Sequence, residues 1–390
     1  MTTCDVVVVG GGIIGLSSAW QLAKAGLKVL VLERGQCAQE SSWAGAGVLQ
    51  CGSWHRKDPL VELLRESLLE HYPKFVEELR ERTHIDPEFI PCGSFELLLD
   101  DQQYRMAASE VEAAGAYREK YGRSVLELLS PDEARAIEPN IAGDILGVKS
   151  CPVTCQVRNP RLGQAVRAAC ILAGVDIREG CAARGLLREG DRITGVRSER
   201  GDVRCGHVVV AAGSWSALID PLCGEKLPVY PVRGQIVLLE TRVRPFTHIV
   251  ERGKCYMIPR LDGKIVIGAT EEHESGYVKQ NTAEGVAHLL TTAQRLVPAL
   301  SGASLLQTWS GLRPGTPDRG PFLGKVPGVE GLIAATGHFR SGLILAPITS
   351  RIVTDLVTRG ETSYDLSRYA PGREFRKDHR PAFYDPSACG

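Results

Sequence analysis

Three glycines at positions 10, 12 and 15, a glutamate at 33 and two arginines at 313 and 340 are the residues whose types and spacing bear on chemistry in this chain. Gly10-x-Gly12-x-x-Gly15 follows the run Val6 to Val9. It opens a helical pattern through Ile13, Ile14, Leu16, Ala19, Leu22 and Ala23, which Gly26 stops. The first glycine allows a tight turn, the second lets main chain approach a pyrophosphate, and the third lets helix pack closely on strand. Backbone N–H groups at the helix start would carry phosphate charge. Glu33 ends a second apolar strand, Lys28 to Leu32, 21 residues beyond Gly12, where a carboxylate accepts hydrogen bonds from a ribose diol. Arg34 follows it. Together these features predict a dinucleotide site.

The segment after that acid decides which dinucleotide. RGQCAQESSWAGAGVLQ, residues 34 to 50, is rich in serine, glycine and alanine. Ser41 and Ser42 can donate hydroxyls to the pyrophosphate, and Ala46, Gly47 and Val48 can pass beside a bulky ring. HVVVAAGSWS, residues 207 to 216, reads as a further buried parallel strand ending near Gly213, and main-chain groups near Ala182 can meet an adenine edge. ATGHFRSGLILAP, residues 335 to 347, returns some 320 residues after the fingerprint. NAD has no use for such a distant return, whereas FAD needs one, because its isoalloxazine extends far beyond the pyrophosphate. Gly337 and Gly342 would let backbone approach that ring, with His338, Phe339, Arg340, Ser341, Leu343 and Ile344 around it. The helix expected from about Leu343 to Thr358 would turn its positive end to the ring, worth on the order of 1 kcal/mol to a developing negative charge. Pro347 is expected in its first turn, where an N–H is dispensable. The cofactor expected is non-covalent FAD, since this return contains no cysteine.

The elements that must position these groups are legible in outline. A chain of 390 residues, 43% hydrophobic, exceeds one ordinary core. Helical periods run over 60–83, 101–121 and Pro160 to Ala173, and GSFELLLD at 93–100 alternates as a strand. Residues 226–275 read as strands separated by turns around Gly253 and at Asp262-Gly263. The 46 basic residues balance 46 acidic ones, so no net field draws nucleic acid or an anionic membrane, and neither is expected as a partner. No run approaches the ~20 apolar residues of a membrane span. Twelve cysteines contain no CxxC pair, which points to reduced thiols and no metal site, and the start lacks a basic leader region. A cytoplasmic protein is expected. The Pro-rich, charged tail beyond about 365 is expected to be poorly ordered at its end.

In order and spacing, VVVVGGGIIG, ESSWAGAG, VRNPRL, VVVAAGSWS, VYPVRGQIV, CYMIPRLDGKIVIGAT, WSGLRPGTPDRGPFLG and GHFRSGLILAP resemble the D-amino acid oxidase-like FAD-dependent oxidoreductases, nearest to their glycine-oxidising branch in thiamine synthesis. The match runs from about residue 5 to 358. The resemblance implies an α/β fold: a Rossmann-like FAD-binding domain interrupted by an α+β substrate domain with a mostly antiparallel sheet. On the chain this reads as FAD-binding segments 1–85, 151–225 and 306–365, substrate segments 86–150 and 226–305, and a tail 366–390. Arg313 in SGLRPGT is flanked by Gly311, Pro314 and Gly315 and has a guanidinium suited to a carboxylate. In the family resembled, the arginine here clamps the substrate. Tyr256 matches a substrate-binding tyrosine, although a core tyrosine fits its strand as well. Arg340 matches an arginine near substrate and flavin, against which stands a structural ion pair. The reaction implied is hydride transfer from Cα of a neutral-amine glycine, or of sarcosine or a small D-amino acid, with dioxygen as acceptor. It requires no side-chain base, and His338 reads as a structural or flavin contact. A quinone-linked D-amino acid dehydrogenase and a sarcosine oxidase-like enzyme are the alternatives. A homotetramer and hand-over of the imine to a thiazole synthase are implied by the resemblance alone. One departure is Glu271 after IVIGAT, where the resemblance implies an apolar pocket-lining residue in some relatives; facing the substrate, it would change the pocket.

Overall fold

The computed structural model describes residues 2–52, 54 and 58–375. The end of the tail, expected to be poorly ordered, lies outside the described residues.

Two sheets organise the chain. In the first, six strands run in the order Phe322–Lys325, Leu332–Thr336, His207–Val210, Val6–Val9, Val29–Leu32 and Asp176–Arg178. All neighbours are parallel except the first pair. Val6 to Val9 and Val29 to Leu32 are wholly buried, as befits central strands covered on both faces. The helix Ile13–Lys24 covers one face beside Gly342–Thr358, and both contribute to one apolar cluster with Leu16, Trp20, Ile348 and Ile352. A four-stranded sheet, Thr2–Thr3, Gly201–Arg204, Arg192–Ser198 and Ala183–Glu189, lies against the other face through Ile193, Val196 and Val203.

The second large sheet has eight strands in the order Ser304–Gly315, Tyr230–Glu240, Lys264–Gly268, Cys255–Pro259, Ile249–Arg252, Ser94–Leu98, Gly147–Cys151 and Glu127–Leu129. It is antiparallel apart from the Ile249–Arg252 and Ser94–Leu98 pair. Its outer face packs on the helix Ala283–Leu296 through Leu289, Ala293 and Leu296. The α/β class and the mostly antiparallel second sheet match the expectation.

Three local readings change. The pattern over 60–83 is not one α-helix: Pro59–Glu66 and Tyr72–Thr83 flank a π-helical turn, Ser67–His71. Pro73 has no N–H to continue regular bonding, which accounts for a widened turn immediately before it. The helix Gly342–Thr358 starts one residue early, and Pro347 stands inside it rather than in the first turn. Nearby, the Ser67 hydroxyl donates to the Ile344 carbonyl, so a side chain from the π turn joins the bonding around the proline. Strand Ser304–Gly315, most of which was expected among the nucleotide segments, pairs from end to end with Tyr230–Glu240 and belongs to the eight-stranded sheet.

Candidate active site

A cavity of about 700 Å³ lies between the two large sheets, reaching from the start of helix Ile13–Lys24 to Arg313. Every expected cofactor residue except Gly15 lines it, as do Arg313, Tyr256 and Arg340.

At the nucleotide end the main chain shapes the wall. A Cβ on Gly15 would come within 1.9 Å of the Gly10 carbonyl oxygen, and one on Gly10, at φ +111°, within 2.5 Å of the Ala211 carbonyl. Gly15 thus holds helix against strand and does not face the cavity. The Ile13 N–H, at the start of the helix, donates to the Ser42 hydroxyl at 2.9 Å. Glu33 takes main-chain N–H groups from Gly11 at 2.7 Å and Gly35 at 2.8 Å, which fixes its carboxylate at the end of its strand. Arg34 stacks over Trp215 at 3.6 Å and pairs with Glu40 at 2.9 Å.

Two expected donors are otherwise engaged. The Ser41 hydroxyl donates to the Leu312 carbonyl, tying the loop to the large sheet instead of presenting its proton to a phosphate. At Ala182 the N–H donates to the Glu199 carboxylate at 3.0 Å, and the carbonyl accepts from the Glu199 N–H at 3.1 Å. A buried arginine that sequence reading missed, Arg260, donates to the Ala46 carbonyl at 2.7 Å and to Gln156 at 2.9 Å. It braces the loop through Ala46, Gly47 and Val48 from behind. Burial pulls its pKa down to about 10.

Across the cavity, Gly337 has φ +74° and abuts Thr316, and Phe339 also takes a left-handed conformation at φ +50°. The Phe339 N–H donates to the Pro314 carbonyl at 3.0 Å, joining this loop to the strand that carries Arg313. His338 is buried and shares a hydrogen bond with the Thr349 hydroxyl at 3.1 Å. Burial lowers its pKa to about 3, so the ring is neutral at pH 7 and structural in character.

At the far end the guanidinium of Arg313 lies on the bare backbone of Gly234, where a Cβ would stand 2.4 Å from it. Its Nη1 donates to the Thr270 carbonyl at 3.0 Å. Burial and the neighbouring Arg340 lower its pKa, opposed by Tyr256 and Glu271, and an arginine still remains charged. Tyr256 crosses over Gly268, its register partner, with a Cβ there falling 2.8 Å from the ring.

Arg340 lines the cavity while pairing with Glu271 at 2.5 Å. Glu271 itself does not line it: its side chain is 2% exposed and lies behind Arg340, among Lys254 at 3.6 Å, His273 at 3.2 Å and Arg319 at 3.4 Å. Burial would push this carboxyl up, but Arg340, His273, Lys254 and Arg319 hold it down at about 2. The ion-pair reading of Arg340 therefore stands beside its place on the cavity wall, and Glu271 shapes the pocket through that arginine and through Lys254. Gln50, Lys254 and Glu251 also line this end. No motif flagged them: Glu251 reaches the cavity through strand register, Lys254 from the turn that follows Ile249–Arg252, and Gln50 from the loop after Val48–Leu49.

Whether FAD fits rests on what the wall offers. A glycine-walled helix start, an acid at the end of the second strand and a long continuation towards a loop that begins a second helix suit a dinucleotide extended by a large ring. Among the described residues no group of three or more His, Cys, Asp or Glu comes together to hold a metal, and no helix is long and apolar enough to cross a membrane.

Comparison with known proteins agrees with this geometry. Residues 5–356 match the family model DAO, FAD dependent oxidoreductase. The chain is 39% identical to glycine oxidase of Pseudomonas aeruginosa over 94% of its own length and 98% of that protein. It is 32% identical to the bifunctional protein ThiO/ThiG of Synechocystis over 95% of this chain and 54% of that one. The crystal structure of glycine oxidase from Geobacillus kaustophilus superposes with a TM-score of 0.89 at 32% identity, covering 96% of this chain and all of that one. With its glycine-walled helix start and its distant return facing one cavity, the chain belongs to the FAD-dependent oxidoreductases of the DAO family, and FAD is its cofactor.

Proposed function

We propose that this enzyme oxidises glycine to glyoxylate and ammonia through the imine, with dioxygen reduced to hydrogen peroxide. The observation that carries the reading is Arg313: a guanidinium laid on Gly234 in the wall of a flavin-sized cavity, beside the Tyr256 ring. A guanidinium fork of this kind grips a small carboxylate. The resemblance to glycine oxidases over nearly the whole chain supports the same substrate.

FAD, when bound, supplies the two-electron acceptor. Gly10, Gly12, Ile13, Ile14 and Ser42 would hold its pyrophosphate, Glu33 its ribose, and Ala46, Gly47, Val48 and the loop from His338 to Ile344 its ring. Arg313 fixes the carboxylate, Tyr256 packs beside it, and Arg340, tethered by Glu271, stands next to Arg313 on the cavity wall. Residues 1–85, 151–225 and most of 306–365 form the FAD-binding domain in this reading, and the eight-stranded sheet forms the substrate domain. A cytoplasmic homotetramer belongs to the same proposal. Fusion in the Synechocystis relative supports hand-over of the imine to a thiazole synthase.

A panel of glycine, sarcosine and small D- and L-amino acids, followed by anaerobic bleaching of the flavin and then by peroxide formed per glyoxylate in air, tests this. Fastest bleaching with glycine and a ratio near one are expected. Preference for a bulkier amine, or a ratio far below one, would favour a sarcosine oxidase-like enzyme or a dehydrogenase respectively.

A further inference from the structure

A row of side chains crosses the large sheet at the substrate end. Ile236, Gly268, Tyr256, Glu251, Glu96 and Lys149 are successive register partners on adjacent strands, so they share one face. Tyr256 and Glu251, directly opposite each other, both line the cavity. Gln50, from the loop that follows the glycine-rich segment, donates its side-chain N–H to Glu251 Oε1 at 3.0 Å. Among the described residues, three carboxylates line the cavity: Glu33, Glu40 and Glu251. Glu33 is occupied by main-chain N–H groups and Glu40 pairs with Arg34 and Lys279, both at the nucleotide end. Glu251 is the one of these that lies beside Tyr256, at the Arg313 end of the cavity.

We propose that Glu251 receives the proton of the substrate's ammonium. Resting on the amino acid reading above, this adds to it a side chain that generates the neutral amine. The N–H bond breaks with its electron pair left on nitrogen, and an O–H bond forms on the carboxylate. Placement favours this direction. The substrate carboxylate is held by Arg313, with Arg340 and Lys254 also on the wall, so an ammonium entering there stands among three cations. Glu251 is pushed towards the proton-bound form by burial and then by Glu96 opposite it, up to about 7, while Gln50, Ser94 and Lys149 act the other way. Lys149 is committed to Glu96 at 2.7 Å and Glu110 at 2.6 Å. Among the described residues, Cys151 and Tyr256 also stand near Glu251. A carboxylate held near pH 7 in this way is suited to accepting a proton.

The test uses the holoenzymes of wild type, Glu251→Gln and Glu251→Asp. In the glutamine variant kcat/KM for glycine at pH 7 is expected to fall about 100-fold, and its rising limb with pH to move up by about one unit or more. The dissociation constant for hydroxyacetate, which carries the carboxylate without the amine, is read from flavin absorbance and is expected to stay within about threefold. The aspartate variant is expected to lose about tenfold in rate while keeping the wild-type limb. A glutamine variant with an unmoved limb, or one that loses hydroxyacetate affinity as steeply as glycine turnover, overturns the proposal. If the glutamine variant does not retain FAD, the aspartate variant decides, and an unchanged rate overturns it. A wild type inert towards glycine at every pH overturns the substrate reading and this proposal together, whereas an active wild type with an unmoved limb in the variant overturns this proposal alone.

Discussion

The two ends of the cavity are built from different materials. At the nucleotide end glycines and main-chain N–H groups form the wall, on a parallel sheet whose strands are buried on both faces. At the substrate end charged side chains do the shaping: Arg313, Arg340 and Lys254 against Glu251, with Glu271 behind. A cofactor that stays bound is held by many modest, fixed contacts. A small substrate that must come and go needs a few strong, desolvated ones, each expensive to remove.

Breaking the substrate end should therefore cost activity while leaving the flavin in place. Arg313→Ala is expected to lower kcat/KM for glycine by about a thousandfold, roughly 4 kcal/mol of transition-state stabilisation, with the yellow spectrum retained. Steady-state kinetics beside the flavin spectrum check this. Loss of the flavin in that variant would mean the two ends are not separable.

Breaking the nucleotide end should do the reverse. In Gly15→Ala the new methyl meets the Gly10 carbonyl oxygen at 1.9 Å, so helix and strand must part. A cost of about 3 kcal/mol is expected, read as a lower melting temperature and a smaller yellow fraction that added FAD restores only in part.

The smallest effect sharpens the comparison through pH. His338 titrates lower in the folded chain, at about 3, than its ordinary 6.5, so the native state binds fewer protons. Its contribution to stability is full above pH 6.5 and falls away as pH drops towards 3. Glu271, lowered from 4.5 to about 2, holds its contribution down to pH 4.5 and loses it only below that. The cofactor loop should thus weaken first on mild acidification. His338→Gln is expected to lose about 1 kcal/mol at pH 7, with the Thr349 contact, and to flatten the decline in melting temperature between pH 6.5 and 4.5. An unchanged slope would move the acid sensitivity elsewhere.

Legibility follows the same division. The fingerprint, the second strand with its acid and the helix after Gly342 are readable because each is a local pattern within some twenty residues. Ser41 lies on the expected wall but makes a different bond, since Leu312, its acceptor, is 271 residues away. Arg313 stands out because glycines and a proline frame it. Glu251 and Lys254 look like ordinary strand and turn charges. Glu271 is conspicuous in its motif, yet no local pattern says on which side of Arg340 it lies.

By itself the sequence determined a glycine-lined turn between strand and helix and a distant glycine-bearing loop before a second helix, because turn geometry and apolar period are properties of neighbouring residues. Only the tertiary structure decided which charges line the far end of the cavity. Glu251 meets Tyr256, Glu96 and Lys149 through the pairing register of strands Ser94–Leu98, Gly147–Cys151, Ile249–Arg252 and Cys255–Pro259, and a shift of one residue in that register would turn the carboxylate to the opposite face.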